Sequence, residues 1–219
     1  MKHSPISDAP FHAALADAPP GATCLWLMAG AARIRVAWWR GGDKGTVLLL
    51  PGRTECIEKY GRAAGDLVAR GFSVITIDWR GQGLADRALP DRMVGHVTRF
   101  AEYQQDMDVM LAEAQRAGLP EPYYMVAHSM GGCIGLRALM RGLPIRAAVF
   151  SAPMWGIAMA AWLRPVASVV GALAGPLGIA HRYAPTTGGQ TYLMQFPFEG
   201  NVLTTDRDMW DYMRRQVAE

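Results

Sequence analysis

The sequence is poor in the features that mark several large classes of protein. Its three cysteines, Cys24, Cys56 and Cys133, lie far apart and form no C-x-x-C pair. This spacing argues against a disulfide framework or a zinc site and favours a reducing compartment. The 22 basic residues against 19 acidic ones give a net charge of +3, without any block of Lys and Arg. A nucleic-acid-binding protein needs such clustering, so we expect no nucleic-acid partner.

Long uninterrupted apolar runs are also missing. Residues 1–20 have no apolar core behind a basic start, so they are not a secretory signal, and we expect a frayed arm. The one long apolar tract, residues 154–179, is broken by Arg164, Pro165 and Pro176, whereas a membrane-spanning helix takes about 20 apolar residues. Apolar residues make up 51% of the 219-residue chain. Length and composition predict one sizeable core, alone or with a small appended domain.

Strand and helix patterns alternate along residues 24–153. Apolar β-prone runs predict six strands, at residues 24–28, 34–39, 46–50, 73–77, 123–128 and 146–150. The first two read as a hairpin, and apolar residues at helical spacing lie between the later strands. This alternation predicts βαβ units, and therefore an α/β fold with a mostly parallel sheet and helices on both faces.

A serine stands where one predicted strand turns into a helix. Residues 123–132 read Y-Y-M-V-A-H-S-M-G-G, with Ser129 at the turn and Ala127 in the first glycine position of G-x-S-x-G. Small neighbours permit the strained backbone that projects a serine hydroxyl above a helix N-terminus. Ser129 is therefore the candidate nucleophile of a nucleophile elbow. The alternative is an ordinary serine in a glycine-containing turn.

Four segments in a fixed order carry a family resemblance. They are P-G-R-T-E with K-Y (51–55 and 59–60), D-W-R-G-Q-G (78–83), A-H-S-M-G-G (127–132) and F-E-G-N-V-L-T-T-D (198–206). Together they make the chain similar, over roughly residues 25–210, to α/β-hydrolases of the monoacylglycerol lipase and bacterial lysophospholipase L2 type, a serine aminopeptidase S33-like family. The family's usual His-Gly is Pro51-Gly52 here, which looks like the lysophospholipase branch.

The resemblance implies the α/β-hydrolase fold and cleavage of carboxylic esters of lysophospholipids or monoacylglycerols through an acyl-enzyme on Ser129, without a metal or cofactor. The backbone N–H of Met130, at the start of the elbow helix, is the natural first oxyanion donor. By resemblance, the second donor is the backbone N–H of Arg53. The Arg53 side chain has three open roles: facing solvent, pairing with an acid such as Glu55, or contacting substrate phosphate.

A triad acid and histidine have no match in the expected order. In this fold the triad runs Ser, acid, His along the chain, and His181 is the single histidine after Ser129. His181 is better explained as a surface or packing residue than as the base. Asp206 and Asp208 are better explained by interaction with a helix N-terminus.

Two earlier histidines are not expected to act as the base. His128 precedes the nucleophile, and we expect its side chain to point away from the oxyanion side. His96 lies in a loop before a helix and has no motif support. The resemblance places the triad acid and histidine on strands that follow the cap.

We therefore expect residues 1–153 to form the N-terminal part of the hydrolase core and residues 154–219 a helical cap inserted after the sixth strand. The C-terminal part of the core would be absent from the chain, which alone would be poorly active or inactive. The alternative is a natural short protein, a non-catalytic lipid-binding or membrane-surface module that retains the fold.

The cap-like tract is apolar nearly all round, which suits a buried helix or one that touches lipid. In the second case Trp155 and Trp162 would sit at a membrane interface and Arg164 would reach head groups. The alternative is packing on the core. Residues 204–217 predict a helix, with Thr205 and Asp208 spaced as a capping box. We expect a cytoplasmic protein, or a peripheral one at the inner face of the membrane.

Overall fold

A computed structural model describes residues 7–156, 160–183 and 188–217, and its described part is built on a seven-stranded mixed sheet with strand order β1-β2-β3-β5-β4-β6-β7. The strands are β1 Ser7–Asp8, β2 Thr23–Ala29, β3 Ala32–Trp39, β4 Thr46–Leu50, β5 Ser73–Asp78, β6 Tyr123–His128 and β7 Ala147–Ser151. Strands β4 to β7 run parallel to one another. The pairs β1–β2, β2–β3 and β3–β5 are antiparallel. The hairpin and the four strands predicted after it are confirmed.

Helices connect and flank these strands. In the described part of the chain they are α1 Ala13–Ala16, α2 Gly61–Ala69, α3 Tyr103–Arg116, α4 Met130–Met140, α5 Leu163–Ala174, α6 Tyr192–Gln195 and α7 Arg207–Val217. Short 3₁₀ turns cover Ile57–Tyr60, Arg92–Val94 and Phe100–Glu102. The parallel strands β4, β5 and β6 are thus joined by helical crossovers, as parallel pairing requires.

Two hydrophobic clusters cover opposite faces of the sheet. Successive strand side chains alternate between faces, so Leu48 and Leu49 of β4 belong to different clusters. Leu48 lies in the larger cluster, with Met107 of α3 and Ile134 of α4. Leu49 lies in the smaller one, with Ala64 of α2. This division confirms the α/β fold with helices on both faces.

The N-terminal segment is part of this structure, so the expected frayed arm is wrong for residues 7–20. Strand β1 pairs with β2, and Ala16 is fully buried. The hydroxyl of Tyr212, on α7, donates to the carbonyl oxygens of Ala16 at 2.9 Å and Glu58 at 2.8 Å. Helix α7 therefore packs on the N-terminal segment and on the 3₁₀ turn Ile57–Tyr60.

Helix α7 begins at a different cap from the one predicted. The Asp206 Oδ1 atom accepts the backbone N–H groups of Asp208 at 2.9 Å and Met209 at 3.2 Å. The predicted capping box of Thr205 and Asp208 is therefore wrong, because Asp206 is the residue that satisfies the free N–H groups of the first turn. The explanation of Asp206 as a helix N-terminus residue is confirmed.

The edge of the sheet formed by β7 is exposed in the described part of the chain. Strand β7 is an edge strand, with Val149 62% exposed. Helix α5, within the apolar tract, has no buried residue, and Val166 and Val169 stand more than half exposed. Packing of α5 on the described core is therefore not observed. Among the described residues, none of the helices has the length and apolar character needed to span a bilayer.

Candidate active site

Ser129 occupies the sharp turn between β6 and α4. Its backbone has φ 50° and ψ −118°, a conformation that is costly for a residue with a side chain and persists where the surroundings enforce it. The turn lies close to the end of β4, since a Cβ added to Gly131 would stand 2.5 Å from the carbonyl oxygens of Leu50 and Pro51. The predicted strand, turn and helix are confirmed, with glycine required by close packing at position 131.

Neighbouring backbone fixes this turn from the other side. The Ser129 N–H donates to the carbonyl oxygen of Ser151 at 3.1 Å, and the Ser129 carbonyl oxygen accepts the N–H of Met154 at 2.9 Å. The end of β7 therefore helps hold the serine in its strained conformation. Among the described hydrogen bonds, none joins the Ser129 hydroxyl to a histidine.

The loop after β4 lies directly against Ser129. A Cβ added to Gly52 would stand 3.0 Å from the Cβ of Ser129. The Gly52 N–H donates to the Glu55 carboxylate, and the Thr54 N–H donates to Gln82 Oε1 at 2.6 Å. Between them, the Arg53 N–H has no partner among the described residues. Of the first three amides after Pro51, the one at position 53 is thus the one without a described acceptor, and its role as an oxyanion donor stays a prediction.

The start of α4 offers a second backbone donor. Met130 is the first residue of α4 and its side chain is buried. Its N–H belongs to the first turn of the helix, whose N–H groups have no partner within the helix. The positive end of the helix dipole also favours negative charge at this point. Met130 is therefore placed as the sequence predicts, although its role as an oxyanion donor stays a prediction.

A buried carboxylate holds the loop. The Glu55 side chain is 8% exposed and accepts hydrogen bonds from Gly52 N–H, the Lys59 ammonium and, at 2.5 Å, the Tyr60 hydroxyl. Burial alone would raise the pKa of the Glu55 carboxyl, but the Lys59 charge and these donors hold the pKa below its ordinary value. Glu55 is thus a fixed negative charge that clamps the backbone next to Ser129.

His128 lies beside this carboxylate. Its Nε2 is 3.7 Å from Glu55 Oε1, and its Nδ1 is 3.1 Å from the carbonyl oxygen of Ser151. The ring therefore lies between the loop after β4 and the end of β7. The expectation that the side chain points away from the oxyanion side stays a prediction.

A second buried network anchors the base of the same loop. Arg35 is fully buried, and its guanidinium pairs with Asp78 at 2.8 Å and with Glu58 at 2.6 Å. Asp78 also accepts the N–H groups of Ile57 and Leu84, both at 2.8 Å. Burial alone would raise the pKa of Glu58, but the Arg35 guanidinium holds it below its ordinary value. The network therefore joins the end of β5 to the end of the loop after β4.

The other predicted residues lie away from Ser129's contacts. His181 is exposed, in agreement with its explanation as a surface residue, and His96 is half-buried in a cleft on the far side of Arg53. The Arg53 side chain donates to the Val94 carbonyl oxygen at 2.8 Å rather than to Glu55. Within the described ranges, no group of three or more His, Cys, Asp or Glu side chains could hold a metal ion.

Two side chains shape the loop in ways that the motifs do not predict. Glu55 and Gln82 each fix one amide of the loop after β4. The i, i+4 spacing of Glu55 and Lys59 is a signal for their pairing. Gln82 gives no such signal, because its contact with Thr54 joins two separate loops.

The sheet, its crossover helices and the strained serine at the end of β6 define an α/β-hydrolase. The family model described as serine aminopeptidase, S33, matches residues 41–208. The chain therefore belongs to this family of hydrolases, and the resemblance carried by its motifs is confirmed.

Curated relatives match part of the chain. Lysophospholipase L2 of Escherichia coli (strain K12) is 41% identical over 112 residues, which cover 51% of this chain and 33% of that protein. Probable lysophospholipase L2 of Haemophilus influenzae is 29% identical over 170 residues, covering 77% of this chain and 52% of that protein. The chain thus spans from a third to about half of the length of these relatives.

Solved structures support the fold alone. A soluble variant of monoglyceride lipase from Saccharomyces cerevisiae is similar with a TM-score of 0.51 and 23% identity, over 68% of this chain and 51% of that chain. A thioesterase domain from the curacin biosynthetic pathway also has a TM-score of 0.51, with 21% identity over 71% and 54% of the two chains.

Proposed function

We propose that this chain carries the nucleophile and oxyanion hole of a serine hydrolase that cleaves the carboxylic ester of a lysophospholipid or a monoacylglycerol. The observation that carries the proposal is Ser129 on its strained turn, at the first turn of α4 and against Gly52 of the loop after β4. In that loop the neighbouring Arg53 N–H has no acceptor among the described residues. The names of the curated relatives, lysophospholipase L2 and probable lysophospholipase L2, support the substrate class.

In the proposed reaction the Ser129 hydroxyl oxygen attacks the ester carbonyl carbon and passes its proton to a general base. The negative oxygen of the tetrahedral intermediate accepts the N–H groups of Met130 and Arg53. The intermediate then expels the glycerol oxygen, which takes up the proton, and leaves the fatty acyl group on Ser129. Water hydrolyses this acyl-enzyme by the same route. By resemblance to the family, the base and its acid follow the cap.

Reactivity of the 219-residue chain tests the nucleophile. Without a positioned base, serine catalysis falls by several orders of magnitude while oxyanion stabilisation leaves a remnant. We expect weak fluorophosphonate labelling and very slow turnover of a p-nitrophenyl ester. Ser129→Ala should abolish the labelling, while Ser168→Ala, at an exposed serine on α5, should not. Labelling that survives Ser129→Ala would refute the assignment, and strong burst kinetics would show that a base is present.

A second candidate function is a non-catalytic module that binds lipid at a membrane surface. The observation that favours it is the exposed apolar surface of α5, where Trp162 is 71% exposed and Val169 58%. The same surface suits a lid of the enzyme that contacts the inner face of the membrane. Ester hydrolysis by the complete gene product separates the two functions: hydrolysis that depends on Ser129 supports the enzyme, and its absence supports the module.

A further inference from the structure

A cleft of about 550 Å³ opens beside the loop that follows β4. One wall is formed by Arg53, Thr54 and residues 93–97, and the other by Ala180, Arg182, Tyr183, Gly188 and residues 190–192. Its described lining includes the side chains of Arg53, His96 and Arg182 and contains no Asp or Glu. The described lining therefore concentrates nitrogen donors and positive charge beside the loop that follows β4.

Hydrogen bonds give this cleft a defined shape. The Arg53 guanidinium donates through one nitrogen to the Val94 carbonyl oxygen at 2.8 Å, which leaves its other N–H groups available. The Tyr183 hydroxyl donates to Asp91 Oδ2 at 2.7 Å and so ties the second wall to the first. Asp91 also accepts the Met93 N–H at 2.9 Å. This nearby carboxylate is thus engaged with its own partners outside the lining.

A buried amide adds an independent observation. Gln82 is 3% exposed, and its Nε2 has no hydrogen-bond partner among the described residues. Its Oε1 accepts the Thr54 N–H at 2.6 Å, which fixes the orientation of the amide. Nε2 lies only 2.8 Å from the position that a Cβ on Gly95 would take, and Gly95 lines the cleft. A buried donor without a partner is costly, so its position against the cleft points to an acceptor there.

We propose that this cleft binds the phosphate group of the substrate's head group. Arg is suited to this task, because its planar fork of N–H donors matches phosphate oxygens. Arg53 also connects the two parts of a substrate: its backbone N–H faces the ester at Ser129, while its side chain lines the cleft. A glycerol unit links ester and phosphate in a lysophospholipid. The inference rests on the proposed ester hydrolysis and selects phosphate-bearing lipids over neutral monoacylglycerols.

Substrate pairs with the same acyl chain test this preference in the complete gene product. The kcat/KM of a lysophosphatidylglycerol is compared with that of the monoacylglycerol, for wild type and for Arg182→Gln. We expect wild type to prefer the phosphate-bearing ester and Arg182→Gln to reduce the ratio of the two values about tenfold, as for the loss of one charge-assisted hydrogen bond. Arg182→Lys should retain part of the preference. Arg137→Gln, at an exposed arginine of α4, is the matched control and should leave the ratio unchanged.

Binding measurements keep the inference separate from catalysis. In a Ser129→Ala background, calorimetry with sn-glycerol 3-phosphate should show binding that Arg182→Gln weakens about tenfold. Failure of Ser129-dependent hydrolysis would reject the proposed function, while hydrolysis with a ratio insensitive to Arg182→Gln would reject the phosphate site alone. Absence of glycerol phosphate binding would also reject it. If inorganic phosphate binds as tightly as glycerol phosphate and the substrate ratio is unaffected, the cleft is a free-anion site and the head-group assignment is wrong.

Discussion

Replacing Asp78 with alanine should destabilise the protein more than replacing an exposed carboxylate does. Asp78 is fully buried, pairs with the buried Arg35 at 2.8 Å, and accepts the N–H groups of Ile57 and Leu84. Removing one partner of a buried ion pair costs about 3–5 kcal/mol. Arg35 keeps Glu58 as a second partner, which favours the lower end of this range. In addition, two buried N–H groups lose their acceptor, at a cost of about 1 kcal/mol or more each.

We therefore expect Asp78→Ala to lower the free energy of unfolding by about 5 kcal/mol, a large part of the 5–15 kcal/mol of a typical domain. Urea unfolding followed by tryptophan fluorescence measures this loss, since Trp39 and Trp79 are buried. The control is Asp86→Ala, because the Arg33–Asp86 pair has side chains 45% and 42% exposed and such pairs contribute about 0–1 kcal/mol. Equal costs for the two variants would refute the reasoning that this network anchors the loop.

Two further predictions concern the complete gene product. Glu55→Gln should lower kcat about tenfold and Glu55→Ala up to about a hundredfold, with little change in KM, because Glu55 positions the Gly52 amide and hence the proposed oxyanion donor at Arg53. A fall in thermal stability with unchanged kcat would show that Glu55 only stabilises the fold. Trp162→Glu combined with Leu163→Glu should reduce liposome binding and long-chain ester hydrolysis together while short soluble esters are still cleaved. Loss of both activities in parallel with soluble expression would contradict a lipid-facing lid.

The sequence predicts those strands and helices in which burial directly sets the pattern of apolar residues. Strands β4 and β5 are covered on both faces, so every residue of each is buried. The continuous apolar run at residues 47–50 of β4 and the apolar residues Val74, Ile75 and Ile77 of β5 are the pattern that such burial produces. The turn at Ser129 was predictable for a related reason. Its neighbours are small because Gly131 meets the backbone at the end of β4.

The unpredicted features depend on contacts between distant segments. Residues 7–20 are ordered because α1 meets α7, and the bond from Tyr212 to Ala16 spans 196 positions in sequence. No local pattern in a segment rich in Ala, Pro and Asp predicts a contact with such a distant residue. The predicted cap of α7 is wrong for another reason. Thr205 and Asp206 are both good capping residues, and the path of the backbone into the helix places Asp206, rather than Thr205, at the cap.

The loop after β4 combines both situations. Spacing alone does not single out the amide of residue 53, because any of the first amides after Pro51 could face the serine. The proposed assignment to Arg53 is supported by what the neighbouring amides do: Gly52 donates to a buried carboxylate and Thr54 to a glutamine from another loop. These two hydrogen bonds fix the backbone on either side of Arg53, so its side chain extends away from the clamp to line the cleft. One residue thereby connects the proposed chemistry at Ser129 with the proposed recognition of phosphate.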